Sequence, residues 1–189
     1  MANIPYYEQK DIENIKKLRE MMKELPPFCT EFFRGIEPRT STRTRIAYAY
    51  DLSVFFDFLK KENPVFSKME LMDFTLDHLD QITVTDLEEY MEYLKYRFND
   101  HNQEITNKER GIMRKISSLK SFYNYFFRTE KLKTNPAALV QLPKLHEKEI
   151  IRLDVDEVAL LLDAVEQGDG LTEKQKAFHN RTRLRDLAM

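Results

Sequence analysis

The sequence predicts an all-α fold. Only 4 of the 189 residues are Gly and 7 are Pro, so few positions interrupt the long regular segments. Along these segments apolar residues recur three and four positions apart, which is the spacing of one face of an α-helix. The 13 Phe and 9 Tyr supply enough large side chains for those faces to meet in a core.

The first two predicted helices lie on either side of a proline-rich break. The first spans about residues 6–24 and ends at "LPP", residues 25–27, because proline lacks the amide hydrogen that a helix needs. We expect residues 28–40 to form a loop whose aromatic side chains pack onto the domain. The second helix spans about residues 41–62, begins at a hydroxyl residue that can cap free amides, and is the central one.

Three further helices complete the predicted bundle. Residues 83–98, "TVTDLEEYMEYLKYRF", form one of them, with Thr85 and Glu88 as a capping box. Asn107 is the expected N-cap of the next, and "NPAALV", residues 135–140, is a short helix with Asn and Pro at its start. The apolar side of the helix after Asn107 carries residues at helical spacing: Ile112, Ile116, Leu119, Tyr123 and Phe126.

The sequence predicts that the last part of the chain is a separate segment. Residues 143–150 are polar and contain lysine, which is typical of an inter-domain linker. A new amphipathic helix follows, with Asp154 and Glu157 as its capping pair, and "GDG", residues 168–170, ends it. "TRLRDLAM", residues 182–189, begins a further element that the end of the chain interrupts.

Several function classes find no support in the composition. The single Cys excludes an internal disulfide and fits a reducing cytoplasm, and the four His are scattered without zinc-ligand spacing. The sequence shows no P-loop, no Gly-rich dinucleotide turn, no signal-peptide core and no apolar run of the ~18 residues that cross a membrane. We therefore expect a cytoplasmic protein that binds no metal or cofactor and has no catalytic group in this chain.

Charge is distributed unevenly along the chain although the net charge is only -2. Residues 62–104 contain 11 acidic and 3 basic residues, whereas residues 107–133 contain 8 basic and 2 acidic ones. Such segregation can orient a molecule towards a polyanion, and it also arises by chance on helical surfaces.

The helix that follows Asn107 carries a second, polar stripe opposite its apolar side. Ser is a mediocre helix former that a solvated face does not need, but small hydroxyls let a helix lie close to a surface and bond phosphate oxygens. The stripe therefore fits a DNA groove, a close helix–helix contact or a plain solvated face. It consists of Arg110, Arg114, Ser117, Ser121, Tyr125 and Arg128.

A second basic patch, "RTSTRTR", occupies residues 39–45 at the start of the central helix. Free amides and a partial positive charge at a helix N-terminus attract phosphate, and three Arg and four Thr or Ser suit a clamp on a DNA backbone. The simpler interpretation is a capped helix start with incidental Arg. Phosphate contacts position a protein on DNA, so neither patch identifies a target sequence.

Four motifs in order resemble the tyrosine recombinase, or phage integrase, family. "TRIAYAYDLSVFFDFL", residues 44–59, is similar to the Thr-x-x-x-Tyr-x-x-Asp-Leu signature of the N-terminal, core-binding domain. Residues 114–144 resemble the last helix of that domain, its Asn-Pro turn and its linker. Residues 153–164 and 182–189 resemble the first two segments of the catalytic domain. The signature matches at Thr44, Tyr48, Asp51 and Leu52.

The resemblance implies an orthogonal four- to five-helix, SAM-like bundle. It implies the DNA-binding domain in residues 38–142, a linker in 143–150 and the start of the catalytic domain in 151–189. Residues 1–37 are expected to form an extra helix and loop that the resemblance does not explain. It also implies DNA strand exchange through a 3′-phosphotyrosine intermediate, with Arg, Lys, His and Tyr as catalytic residues. Those residues are expected beyond Met189, so we expect this chain to be an inactive fragment of a larger enzyme.

The resulting hypothesis is a DNA-binding arm of a site-specific recombinase that clamps core-site DNA for integration or recombination. Its expected partners are double-stranded DNA and other recombinase subunits, as a tetrameric synapse in the full-length protein. A helical protein-interaction module is the alternative. The residues expected to contact DNA are Arg43, Thr44, Arg45, Arg110, Arg114, Lys115, Ser117, Lys120 and Ser121.

Overall fold

The computed structural model describes residues 5–99, 102–145 and 152–188. The chain divides between Leu145 and His146 into two compact units. That division falls in the predicted linker, most of which lies outside the described residues. No helix in the described ranges is both long and apolar enough to cross a membrane.

The first unit is a helical bundle with one very short two-stranded sheet, as the all-α prediction expects. Its strands pair antiparallel, with Arg97 opposite Ile105. Its elements in chain order are α1 (Tyr6–Lys23), α2 (Cys29–Ile36), a 3-10 turn (Glu37–Arg39), α3 (Thr42–Glu62), a second 3-10 turn (Leu71–Asp73), α4 (Leu76–Leu79), α5 (Val84–Lys95), β1 (Tyr96–Phe98), β2 (Glu104–Thr106), α6 (Glu109–Arg128) and α7 (Pro136–Leu139).

Helix α3 lies at the centre of the bundle and is buried on more sides than a single stripe predicts. Ser41 caps it by accepting a hydrogen bond from the Thr44 amide at 3.2 Å. Phe55 and Phe56, neighbours that point to different sides of the helix, are both fully buried, whereas Tyr50 is 48% exposed. A helix surrounded by α1, α5 and α6 needs apolar residues around most of its circumference.

Aromatic rings fill the contact between α2, α3 and α6. Phe122 meets Phe32 edge to face with a 5.1 Å centroid distance and lies 6.4 Å from Phe56 in the same geometry. Edge-to-face pairs contribute about 0.5–1.5 kcal/mol each beyond the burial of their area. These contacts join the N-terminal helices to the rest, so the described residues before position 38 belong to the same core as those after it.

Residues 28–40 form helix α2 and a 3-10 turn, so the prediction of a loop is wrong. The stretch follows the "LPP" break, yet four residues at helical spacing are buried on one side of it: Cys29, Phe32, Phe33 and Ile36. Their aromatic packing onto the domain, which the sequence predicts, is confirmed.

Local pairing also changes the bounds of α5 and α6. Thr83 and Asp86 form the capping box of α5, in place of the predicted Thr85–Glu88 pair, and the helix ends where β1 begins. The predicted cap Asn107 instead donates its side-chain amide to the Leu94 carbonyl oxygen at 2.8 Å, and α6 begins after Lys108. The two antiparallel strands, which alternate too briefly to be recognised, take up the residues between the helices.

The second unit is a pair of helices, α8 (Val155–Gln167) and α9 (Glu173–Leu187). The predicted Asp154–Glu157 capping box is confirmed, and Gly168 ends α8 in the left-handed conformation at φ 73°. Residues 182–187 are the last turns of α9, not the start of an element, because Thr172 caps a helix that runs through them.

The single thiol, Cys29, reports on the integrity of this core. Its side chain is fully buried and burial raises the pKa of the thiol, so both access and thiolate formation are suppressed in the folded state. We expect a thiol reagent to label Cys29 at the rate at which α2 opens, and labelling to become fast in denaturant. Labelling of the native protein as fast as that of the unfolded chain would contradict the packing of α2.

Candidate nucleic-acid interface

A buried carboxylate joins the two helices that carry the predicted DNA-binding residues. Asp51 on α3 is fully buried and accepts hydrogen bonds from three residues of α6. Arg114 donates from both terminal nitrogens, Nη1 to Oδ2 at 2.8 Å and Nη2 to Oδ1 at 2.7 Å. Lys115 Nζ lies 3.0 Å from Oδ1, and Ser118 Oγ donates to Oδ2 at 2.7 Å.

The packing of α3 against α6 requires this cluster, which also stabilises the bundle. An unpaired carboxylate in this position would lose its hydration without compensation, so the α6 residues must be in place when α3 is buried. Two of the donors are charged, which shortens and strengthens the bonds. The Asp of the signature motif therefore sets the axial and rotational position of α6 on α3.

Lys115 is held on its other side by an aromatic ring. Its ammonium nitrogen lies 4.8 Å from the centroid of the Tyr50 ring, within range of a cation–π interaction. Lys115 is one of the residues expected to contact DNA, but only 3% of it is exposed and its ammonium group is engaged inside the bundle. Lysine at an apparently polar position of a helix can thus be a buried counter-ion.

The polar stripe of α6 is otherwise on the surface of the first unit. Arg110 and Ser117 are exposed, Ser121 is half-buried, and the Arg114 side chain is 51% exposed while its terminal nitrogens bond Asp51. Ser117 Oγ donates to the Met113 carbonyl oxygen of its own helix at 2.8 Å, which leaves its oxygen as an acceptor. Arg110 forms no hydrogen bond or ion pair with a residue in the described part of the chain.

Lys120 has a partner of its own at the edge of this stripe. Its ammonium group is partly buried and donates to the Val140 carbonyl oxygen, just after α7, at 3.0 Å. This contact fastens the end of the bundle to α6. Lys120 therefore contributes positive charge near the surface while one of its three donors is already used.

The start of α3 presents fewer free groups than its sequence indicates. Arg43 is exposed, whereas the Thr44 hydroxyl bonds the Ser41 hydroxyl at 2.9 Å. Arg45, which was expected to contact DNA, is only 8% exposed and pairs with Glu37 at 2.8 Å. The pairing locks the 3-10 turn onto α3.

A different helix of the first unit, α5, has an acidic outer side. The outer side of α5 carries Glu88, Glu89 and Glu92, all exposed. The helix whose stripe is basic and the helix whose outer side is acidic are thus different elements of the same unit. The unequal distribution of charge along the sequence is therefore also found on the surface, where the outer side of α5 is acidic and the stripe of α6 is basic.

Sequence reasoning missed two parts of this site. Asp51 was recognised only as a motif residue, although a lone Asp among apolar positions of a central helix signals a buried partner network. Arg39 and Arg128 line one groove between the 3-10 turn and α6, which joins the two predicted basic patches at one end. Only the tertiary structure brings these residues together.

Replacement of Asp51 tests the cluster. We expect Asp51→Ala to lower the free energy of unfolding by about 3–5 kcal/mol, because it leaves the Lys115 ammonium group buried without its carboxylate. Adding Lys115→Met to Asp51→Ala removes that charge and is expected to restore part of the loss. Urea denaturation followed by circular dichroism measures both.

The matched control is Lys95→Met added to Asp51→Ala, since Lys95 is exposed on α5 and its loss restores nothing in this account. Equal recovery from both Lys replacements, or no destabilisation by Asp51→Ala, would contradict the proposed role of the carboxylate.

Comparison with known proteins identifies the family. The model of the phage integrase SAM-like domain matches residues 24–142. A tyrosine recombinase XerC of Caldanaerobacter subterraneus is 32% identical over 151 residues, which cover 75% of this chain and 40% of the relative. A XerC of Chlorobaculum tepidum is 31% identical over 188 residues, which cover 97% of this chain and 49% of the relative.

A tyrosine recombinase XerS of Lactococcus lactis is 27% identical over 125 residues, which cover 60% of this chain and 32% of the relative. The chain spans no more than about half the length of these curated relatives, and no solved structure gives a significant match. Because the family model covers well over half of the chain and includes α3 with Asp51 and α6 with its partners, the chain belongs to the tyrosine recombinase, or phage integrase, family and carries its SAM-like N-terminal domain.

Proposed function

We propose that the first unit binds double-stranded DNA as the DNA-binding arm of a site-specific tyrosine recombinase. The observation that carries the proposal is the half-exposed Arg114, which the buried Asp51 holds on the same side of α6 as Arg110 and Ser117. A basic helix face fixed in this way needs no reordering when it meets a polyanion. The XerC and XerS relatives are tyrosine recombinases, which agrees with this role.

The proposed interface consists of the outer side of α6 and the start of α3. Arg110 and Arg43 supply exposed charge, and the small Ser117 and Ser121 side chains allow the α6 backbone to lie close to the duplex. Arg114 contributes a positive charge that Asp51 partly neutralises. Lys115 and Arg45 act indirectly, by positioning α6 and the 3-10 turn.

In the proposal the recombinase activity belongs to the complete protein. Strand exchange, DNA integration and assembly with further subunits into a tetrameric synapse are inferred from the family, and no catalytic role is assigned to a described residue. The bundle would clamp core-site DNA from one side during that reaction, with the acidic α5 directed away from the duplex.

Loss of an exposed arginine tests the interface without disturbing the buried cluster. We expect Arg110→Gln and Arg43→Gln each to weaken duplex binding, and each to lower the slope of log K against log salt by about one unit, because one phosphate contact is lost. Fluorescence anisotropy of a labelled duplex over a series of salt concentrations measures affinity and slope together.

Lys68→Gln is the control. It removes one exposed positive charge from the turn that follows α3. The C-terminal end of α3 lies about 30 Å along the helix from Arg43, so we expect the slope to stay unchanged. If the wild-type chain shows no salt-dependent affinity for duplex DNA, the helical protein-interaction module becomes the better interpretation.

A further inference from the structure

A groove of about 390 Å³ lies between the segment that leads into α3 and the C-terminal half of α6. It continues the basic stripe of α6, since Ser121 belongs to both and Arg128 lies two turns further along the same side. Its opposite wall comes from Arg39 and Thr40. The complete lining is Ile36, Arg39, Thr40, Ser121, Asn124, Tyr125, Arg128 and Thr129.

The groove carries two cations and no acid. Arg39 and Arg128 are exposed, and neither forms an ion pair with a carboxylate in the described ranges. Of the acids close to the lining in sequence, Glu37 pairs with Arg45 at 2.8 Å and Glu31 with Lys131 at 2.6 Å. Glu130 follows Thr129 and does not belong to the lining. The local excess of positive charge is therefore available to an external anion.

The walls of the groove are held in place by packing and hydrogen bonds. Any side chain at Gly35 would overlap the Tyr125 ring, so glycine allows α2 and α6 to approach closely here. Thr40 Oγ1 donates to the Ile36 carbonyl oxygen at 2.7 Å, and Thr129 Oγ1 donates to that of Tyr125 at 3.0 Å. A groove with fixed walls can hold a ligand without first being ordered.

Two neutral donors complete the lining. The Ser121 hydroxyl and the Asn124 amide form no hydrogen bond with residues that the structure describes. Hydroxyl and amide groups beside two guanidinium groups are the set that recognises phosphate oxygens, and guanidinium forks match phosphate geometry.

We propose that this groove binds one backbone phosphate of the DNA duplex, with Arg39 and Arg128 on opposite sides of it. The proposal rests on the proposed DNA-binding function and adds a residue outside the α6 stripe, Arg39. About 27 Å of helix separates Arg110 from Arg128, so a phosphate held at this end fixes the direction in which α6 lies on the duplex. The groove is thus a positioning site.

A double-mutant cycle distinguishes one shared phosphate from two separate contacts. We expect Arg39→Gln and Arg128→Gln each to weaken duplex binding by roughly tenfold, and the double variant to weaken it far less than the hundredfold that independent contacts predict. The salt slope of the double variant should fall by about one unit, as for the loss of a single phosphate, and not by about two. The full 189-residue chain and a labelled duplex are used, with circular dichroism as the check of folding.

Arg34→Gln is the matched control, because Arg34 is an exposed arginine of α2 that lines a different groove, with Thr30 and Phe33. It is expected to leave affinity and slope unchanged. Normal binding by both single variants, additive losses in the double variant, or an equal loss in Arg34→Gln would overturn the shared-phosphate proposal. Absence of duplex binding by the wild-type chain would instead overturn the proposed function from which it starts.

Discussion

The contact between the Asp51 carboxylate and three donor residues of α6 is the constraint on which the rest of the first unit depends. A carboxylate that is fully buried requires Arg114, Lys115 and Ser118 to be in register, so it permits one placement of α6 on α3. Apolar packing alone tolerates small rotations and shifts of a helix. The polar contact supplies the specificity that the aromatic core lacks.

The same contact links stability to function. Because Arg114 uses its terminal nitrogens inside the bundle while half of its side chain stays exposed, the interior of the protein determines where the basic stripe points. The ion pair between Arg45 and Glu37 fixes the 3-10 turn on α3, as the contacts of Asp51 fix α6 on α3. These ion pairs thus position the exposed arginines that are proposed to meet DNA, and the proposed phosphate groove lies between the two elements that they fix.

Periodicity and capping residues were sufficient to predict α1, α3, α6, α7 and the start of α8, because each has a long apolar stripe or an unambiguous cap. They were insufficient for α2, where Gly35 and the prolines nearby suggest a loop although the aromatic residues impose a helix. They also failed to separate buried from exposed cations. Lys115 and Arg45 look like surface residues in a sequence, and only the position of Asp51 or Glu37 in space shows that they are counter-ions.

Residue-level footprinting of the arginines tests the central claim most directly. The full chain is treated with an arginine-selective dicarbonyl reagent with and without duplex DNA, and modification is quantified by mass spectrometry. The account predicts that DNA protects Arg43 and Arg110 and leaves Arg19, exposed on α1, as reactive as before. Equal protection of all three, or protection of Arg19 alone, would show that DNA does not lie on the face that Asp51 orients.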